Sequence, residues 1–297
     1  MLIYPPGVDT PLRGDLIVRA VLRSDLTPVP QTIELEVRDT IDTAGLKEGA
    51  VCRVGRDGVE FLIIKDMRGP NDGRVQGDRP MRTRQCIGLL ASCAPVADNL
   101  QRAVVRYGSA IGEIYRACGA KVRIDSEFSV SVFACYKGQT PAFEIAKALQ
   151  EEGGALVVKG TRVAFMRLSQ MLEPEPIVTF TEDAAVAIQS SFLERHTVPF
   201  AFSINASGGF EFGRSESGRG VIYRPRCPPY ILNNLSAALI TRRKLFTGFA
   251  PQVLAGMRVD LGEKPFVVVT AAHVFEPGGD ADHGEQSSTL WLAEVVK

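Results

Sequence analysis

The stretch Thr32-Ile-Glu-Leu-Glu-Val-Arg38 decides how this chain is read. Ile33, Leu35 and Val37 fall on one side of an extended backbone, and Glu34, Glu36 and Arg38 fall on the other. That period of two is what a half-buried strand requires; a helix would scatter the same side chains around its surface. Upstream, Leu16-Ile-Val-Arg-Ala-Val-Leu-Arg23 is a second run rich in β-branched residues. Downstream, Gly49-Ala-Val-Cys-Arg-Val54 and Val59-Glu-Phe-Leu-Ile-Ile64 flank Gly55-Arg-Asp-Gly58, and an Asp-Gly turn between two such runs predicts a hairpin. Successive strands with no helix between them point to a small barrel-like unit over residues 1–84. Arg68 to Pro80, rich in Gly, Asp, Asn and Pro, reads as an exposed loop.

Past residue 84 the period changes. Cys86, Leu89, Leu90, Cys93 and Ala97 recur at helical spacing, with Pro95 limiting that helix. A second helix is signalled by Ser109 as cap, then Ile111, Ile114, Tyr115 and Cys118, with Gly119 as its stop. The third is capped by Thr140, carries Pro141 at its first position and turns Phe143, Ala146 and Leu149 inward before Gly153-Gly154. Leu156 to Met166 then reads as a hairpin turning at Lys159-Gly160. Residues 85–172 therefore form an α+β portion.

Pro174-Glu-Pro176 reads as a linker into a third unit, 173–297. Ala184, Ile188 and Phe192 have helical spacing, whereas Val198 to Ile204 looks like a strand. Asn234 to Leu245 is read as a helix from Leu235, Ala238, Leu239 and Arg242. Arg258-Val-Asp-Leu261, Pro265 to Thr270 and Thr289 to Val296 return to strands. The fold class is thus β-rich α+β, with two small β-barrel-like domains flanking an α+β portion.

With 297 residues the chain is long enough for two or three compact units. Hydrophobic residues make up 45% and charged residues 23%, as in ordinary globular proteins, which argues against long disorder. Lys+Arg and Asp+Glu are 34 each, so no global basic excess exists to neutralise phosphates, and no specific nucleic-acid partner is expected. No apolar run approaches the ~20 residues of a membrane helix, and Met1-Leu-Ile-Tyr-Pro-Pro-Gly7 lacks the pattern of a secretory signal. The expectation is a protein made and folded in the cytoplasm, with no membrane partner.

The segment that looks most like chemistry is Val269-Thr-Ala-Ala-His273, which resembles the histidine segment of chymotrypsin-type serine proteases. That machinery needs an aspartate and a serine in a Gly-rich loop, both well downstream of the histidine. Only 24 residues follow His273, no Gly-Asp-Ser-Gly-Gly occurs, and the protease is rejected. Gly278-Gly-Asp280-Ala-Asp282-His283-Gly-Glu285 offers oxygen ligands, but its spacing is not that of a calcium loop and a solvated turn is the simpler reading. Arg13-Gly-Asp15 matches an adhesion tripeptide only by its three letters. Gly208-Gly-Phe-Glu-Phe-Gly213 lacks the strand-turn-helix frame of a phosphate loop. Glu151-Glu152 reads as a solvated helix end, and Arg242-Arg-Lys244 is too short to define a nucleic-acid groove. No nucleophile, base and oxyanion site assemble, so catalytic, cofactor and metal residues are all assigned as none.

Gly138-Gln-Thr-Pro-Ala-Phe-Glu-Ile-Ala-Lys-Ala-Leu-Gln-Glu-Glu-Gly-Gly-Ala-Leu-Val-Val158 resembles a segment of the baseplate hub (tail hub) proteins of contractile-tailed phages. There a short helix follows a Gly-x-x-Pro or Gly-x-x-Trp turn, ends in acidic residues plus Gly, and runs into a hairpin. The layout is similar too: a barrel, an α+β portion, then a second barrel containing Ala255-Gly-Met-Arg-Val-Asp260 and Phe266-Val-Val-Val-Thr270. The resemblance implies a virion tail protein, a homotrimer whose paired barrels form a ring between the tail tube protein and the spike protein, with no catalytic residues. The helix read at Asn234 to Leu245 departs from a plain barrel. Two other classes stay open: another virion or secretion-apparatus adaptor, and an enzyme whose site is dispersed through the sequence.

The six cysteines, at 52, 86, 93, 118, 135 and 227, show no CxxC pair and no Cys/His cluster, so they read as free thiols packed as small hydrophobes. Thiol titration of the denatured chain without reductant is therefore expected to return all six; a shortfall matched by loss of hydrogen mass would show a disulfide instead.

Overall fold

In the computed structural model, residues 1–69, 75–76, 79–80, 82–188, 200–214, 220–278 and 284–296 are described. The first ninety residues are a run of strands: β1 (Ile3–Tyr4), β2 (Ile17–Asp25), β3 (Gln31–Arg38), β4 (Val51–Val54), β5 (Val59–Arg68), β6 (Val75–Gln76), β7 (Arg79–Pro80) and β8 (Thr83–Leu90). β3 buries Gln31, Ile33, Leu35 and Val37 and turns Glu34 outward, as its alternation requires. β4 and β5 form the expected hairpin, with Gly55 and Gly58 at φ 77° and 63°, a region other residues enter at a cost.

The middle holds β9 (Val104–Ala110), α1 (Ile111–Ala117), β10 (Ile124–Asp125), β11 (Ser129–Cys135), α2 (Pro141–Glu151), β12 (Gly154–Lys159) and β13 (Arg162–Arg167). The last part holds β14 (Thr179–Phe180), β15 (Ala185–Ala187), β16 (Phe200–Ile204), β17 (Phe210–Phe212), β18 (Val221–Tyr223), α3 (Pro229–Leu235), β19 (Ala238–Gly248), β20 (Arg258–Leu261), β21 (Lys264–Phe275) and β22 (Gln286–Val296).

The β-rich α+β class holds. The flanking β segments are joined to each other in one twelve-stranded sheet, ordered β1-β4-β5-β8-β3-β2-β21-β22-β19-β15, with β20 on β21 and β14 on β20. Among the described residues the path is open, with β1 and β15 at its ends, so neither half closes into a barrel by itself. The halves meet where β2 pairs with β21 antiparallel, from Ala20 opposite Phe275 to Asp25 opposite Thr270. Side chains fasten the same seam: Thr270 Oγ1 donates to Asp25 Oδ1 at 2.6 Å, and the Ala255 N–H donates to the buried Ser24 Oγ at 2.6 Å. Register shifts in β2/β3, β5/β8, β19/β22 and β21/β22 mark bulges, which bend a strand and increase its twist.

Two helices of the sequence reading are corrected. Cys86, Leu89 and Leu90 lie in β8, between β5 and β3, where Cys86, Gly88 and Leu90 face inward. A spacing of four satisfies a period of two as well as one of 3.6, so Cys86 and Leu90 could not separate strand from helix. Asn234 to Leu245 is also not a helix. Pro228 and Pro229 start α3 a turn earlier, Leu235 ends it, and Ala238 to Gly248 pairs along β22. Ala184 closes a single 3-10 turn and Ala185–Ala187 is a strand, while Phe192 lies outside the described residues. α1 and α2 form where expected, with two differences. Ala110, not Ser109, caps α1, and Phe143 points to solvent while α2 buries Pro141, Ile145, Ala148 and Leu149.

The middle portion packs around its own cluster, which includes Ile111, Tyr115, Phe133, Ile145 and Leu156. Two of its ties to the sheet reach opposite halves. Tyr115 is fully buried and donates its hydroxyl to the Pro28 carbonyl at 2.8 Å, in the β2–β3 turn. On the other side Ala155, Val157, Ala164 and Met171 pack with Val267. Gly256 sits at this junction at φ +87°, and a Cβ there would lie 2.2 Å from Val157 Cγ1. Gly256→Ala combines a left-handed penalty of ~1–2 kcal/mol with overpacking of ~1–3 kcal/mol. It is expected to lower the free energy of urea unfolding by about 2–5 kcal/mol, and adding Val157→Ala should recover only the steric part. An unchanged urea midpoint would show that the middle hairpin does not bear on Gly256.

Candidate functional site

His273 lies within β21, opposite Leu22 on β2 and Ser288 on β22, with no solvent exposure. Its Nε2 is 3.0 Å from the Val253 carbonyl and its Nδ1 is 2.8 Å from Ser288 Oγ. A carbonyl only accepts, so Nε2 carries the proton, Nδ1 is the acceptor and the Ser288 hydroxyl donates to it. Ser288 Oγ in turn accepts the Ala250 N–H at 2.9 Å. Every polar atom of the group is thereby satisfied by a neutral imidazole, and burial lowers the His273 pKa from its ordinary 6.5. The histidine and serine stand together as in a hydrolase, but they staple the 250–253 turn to the sheet, and both side chains are sealed from solvent, so a substrate has no access to the Ser288 hydroxyl.

The remaining candidates lie apart. Arg13 and Asp15 pair with each other, Arg13 Nε to Asp15 Oδ1 at 3.0 Å. Glu152 bonds Arg167 at 2.9 Å, while burial raises the Glu151 carboxyl with Arg224 opposing the shift. The Arg242-Arg243-Lys244 cluster stands on β19: Arg242 pairs with Glu294 at 3.2 Å and Lys244 lies 5.4 Å from the Trp291 ring centre. Gly208-Gly209 forms the β16–β17 turn, where Asn205 Oδ1 accepts N–H groups from Ser207 at 3.1 Å and Gly209 at 2.8 Å. Asp280, Asp282 and His283 lie outside the described residues, and Glu285 accepts a bond from Ser287 at 2.9 Å. Among the described residues no cluster of three His, Cys, Asp or Glu could hold a metal ion. No described helix is long and apolar enough to cross a membrane. The six cysteines are free, and burial pushes Cys52 and Cys93 up to about 12 and Cys86 and Cys118 to about 11.

The described surface also presents apolar clusters. Phe210, Phe212, Val221 and Tyr223 are exposed on the small sheet β17-β16-β18, and Tyr107 and its register partner Val132 are exposed on the β9–β11 ribbon. Isolated exposed hydrophobics are ordinary, but clusters on a sheet face mark contact surfaces. The sequence drew attention to Phe210 and Phe212 only as part of the Gly-rich 208–213 stretch, although Phe200, Phe202 and Ile204, then Phe210 and Phe212, carry a legible period of two.

No family model and no curated protein sequence matches the chain. Its fold is nevertheless that of phage tail proteins. The tail protein from Neisseria meningitidis MC58 is similar over 99% of this chain and 96% of its own, with a TM-score of 0.67 and 11% identity. The 43 kDa tail protein of prophage MuSo2 from Shewanella oneidensis matches 98% and 96%, at 0.63 and 12%. The E. coli c3393 protein is a type VI secretion component with structural similarity to the T4 tail proteins gp27 and gp5. It covers all of this chain over 77% of its own, at 0.57 and 7%.

The His273 network has a pH consequence. The folded pKa is depressed, so the unfolded chain binds more protons once pH falls below 6.5. The stability contributed is complete above 6.5 and declines as pH falls from there towards the lowered folded value, by up to about 1.4 kcal/mol per pH unit. Urea unfolding of wild type and His273→Gln between pH 8 and 5 should show a steeper loss in the wild type. Parallel profiles would mean that His273 is not buried as the neutral form.

Proposed function

We propose that the chain is a structural subunit of a phage tail baseplate, a hub-type ring that joins the tail tube to the spike. The observation that carries this reading is the whole-chain match to phage tail proteins of nearly the same extent. Such a likeness speaks for architecture, and the physical features of the chain favour assembly over catalysis. The histidine that resembles a protease residue is sealed, four of the thiols are held at high pKa by burial, and clustered apolar side chains face outward. The chain is read as non-enzymatic, as part of the virion tail, and as assembled in the host cytoplasm.

In this reading the three units are 1–84, 85–172 and 173–297. Each copy brings two β halves fused at the β2–β21 seam, so three copies present six β units around an axis. A homotrimer can thus match a sixfold tube on one side and a threefold spike on the other. A closed ring also satisfies heterologous contacts that would otherwise polymerise. A second reading, an adaptor in a secretion apparatus, is favoured by the match to the E. coli type VI component.

Imaging of the assembled particle decides between them. The hub reading expects three copies around the tail axis, with the first and third units alternating and the middle unit peripheral. Six copies, or a single copy bound off-axis, would overturn it.

A further inference from the structure

The small sheet β17-β16-β18 has two unlike faces. Behind it, Ala201 and Ser203 are buried toward α3. Ser203 Oγ accepts the Cys227 N–H at 3.1 Å, and a Cβ at Gly213 would lie 2.4 Å from the Leu232 carbonyl oxygen. Along β16 this side is covered. In front, the alternation of β16 places Phe200, Phe202 and Ile204, and the registers bring Phe210 opposite Ile204, Phe212 opposite Phe202, and Val221 and Tyr223 beside Phe200 and Phe202. The rings touch one another, with Phe202 and Tyr223 at 5.2 Å, Phe202 and Phe212 at 5.9 Å, and Phe210 and Phe212 at 6.1 Å between centroids. No charged side chain stands among these seven.

The face remains in solvent: Phe210 is 64%, Phe212 56%, Val221 54% and Tyr223 49% exposed. Taking ~200 Å² for an aromatic side chain and somewhat less for an aliphatic one, the exposed apolar area is roughly 500 Å². That is at the upper end of what a monomer's largest patch reaches. It is also more than half of the ~800 Å² that each partner contributes to a standard interface. Among the described residues, the absence of charge from this alternation matters as much as the area. A neighbouring copy can cover such a face without burying an unpaired ion from it, and permanent homo-oligomeric contacts are the more apolar kind.

We propose that the aromatic face formed by Phe200, Phe202, Ile204, Phe210, Phe212, Val221 and Tyr223 is where one copy of this chain packs against another. The proposal rests on the homo-oligomeric part of the hub reading and assigns it a surface. The rings of Phe210 and Phe212 supply the anchors, as aromatic residues at the centre of an interface commonly do.

Sedimentation of the full chain from micromolar to several hundred micromolar tests this, alongside Phe210→Ser/Phe212→Ser and, separately, Tyr223→Glu. Circular dichroism checks the fold of each. The wild type should self-associate, and each folded variant should weaken association at least about tenfold. Tyr223→Glu changes a half-exposed position, so it keeps the test valid if the double variant does not fold. Wild type and variants associating equally would overturn the assignment and leave the hub reading standing. A wild type that stays monomeric at every concentration would also overturn it, and the hub reading would then be decided by the particle image alone.

Discussion

The pairing of Ile17–Asp25 with Lys264–Phe275 is the constraint on which the remainder of the structure depends. It joins strands roughly 250 residues apart and turns two β segments into one sheet. Without it β2 and β21 would each expose a bare edge, and unpaired edges invite pairing with other chains. The polar contacts at the seam are placed to prevent this. Ser24 and Asp25 on one strand bind Ala255 and Thr270 from the other half. His273, one strand position from Ala272 opposite Arg23, holds the 250–253 turn beside the same seam. Pairing of such sequence separation has a large loop-closure cost, so it is expected to form late in folding, after local hairpins such as β4–β5.

The middle portion is fixed by that sheet from two sides. Tyr115 reaches the β2–β3 turn in the first half, and Val157 presses on Gly256 in the second. The α+β portion is thus clamped across the seam by packed contacts. Even Pro174-Glu-Pro176 is held: Arg258 donates to the Leu172 and Pro174 carbonyls, and the Ile177 N–H donates to the Arg258 carbonyl.

Local structure was legible where one period dominated. β3 alternates cleanly, Gly55-Arg-Asp-Gly58 announces its hairpin, and Thr140-Pro141 starts α2, although the Thr140 hydroxyl donates to Asn99 and not to the helix. Legibility failed where the two periods coincide, as at Cys86 and Leu90, and where a ladder overrode helical spacing, as in β19 against β22. The seam was not legible at all, because alternation says which face of a strand is buried but not which strand lies beside it. The candidate surface stood in between. Its aromatic alternation is plain in the sequence, but an aromatic face with period two is normally core, and only the structure turns this one outward.

The single tryptophan, Trp291, reports on the second half of the sheet, while Cys52 and Cys86 are buried reporters in the first. Urea unfolding followed by Trp291 fluorescence and by residue-resolved thiol labelling therefore tests whether the halves are one folding unit. Coincident midpoints are the result this structure predicts. If Cys52 and Cys86 become reactive at a distinctly different urea concentration from the Trp291 transition, the halves are independent domains and the seam does not bind the fold together.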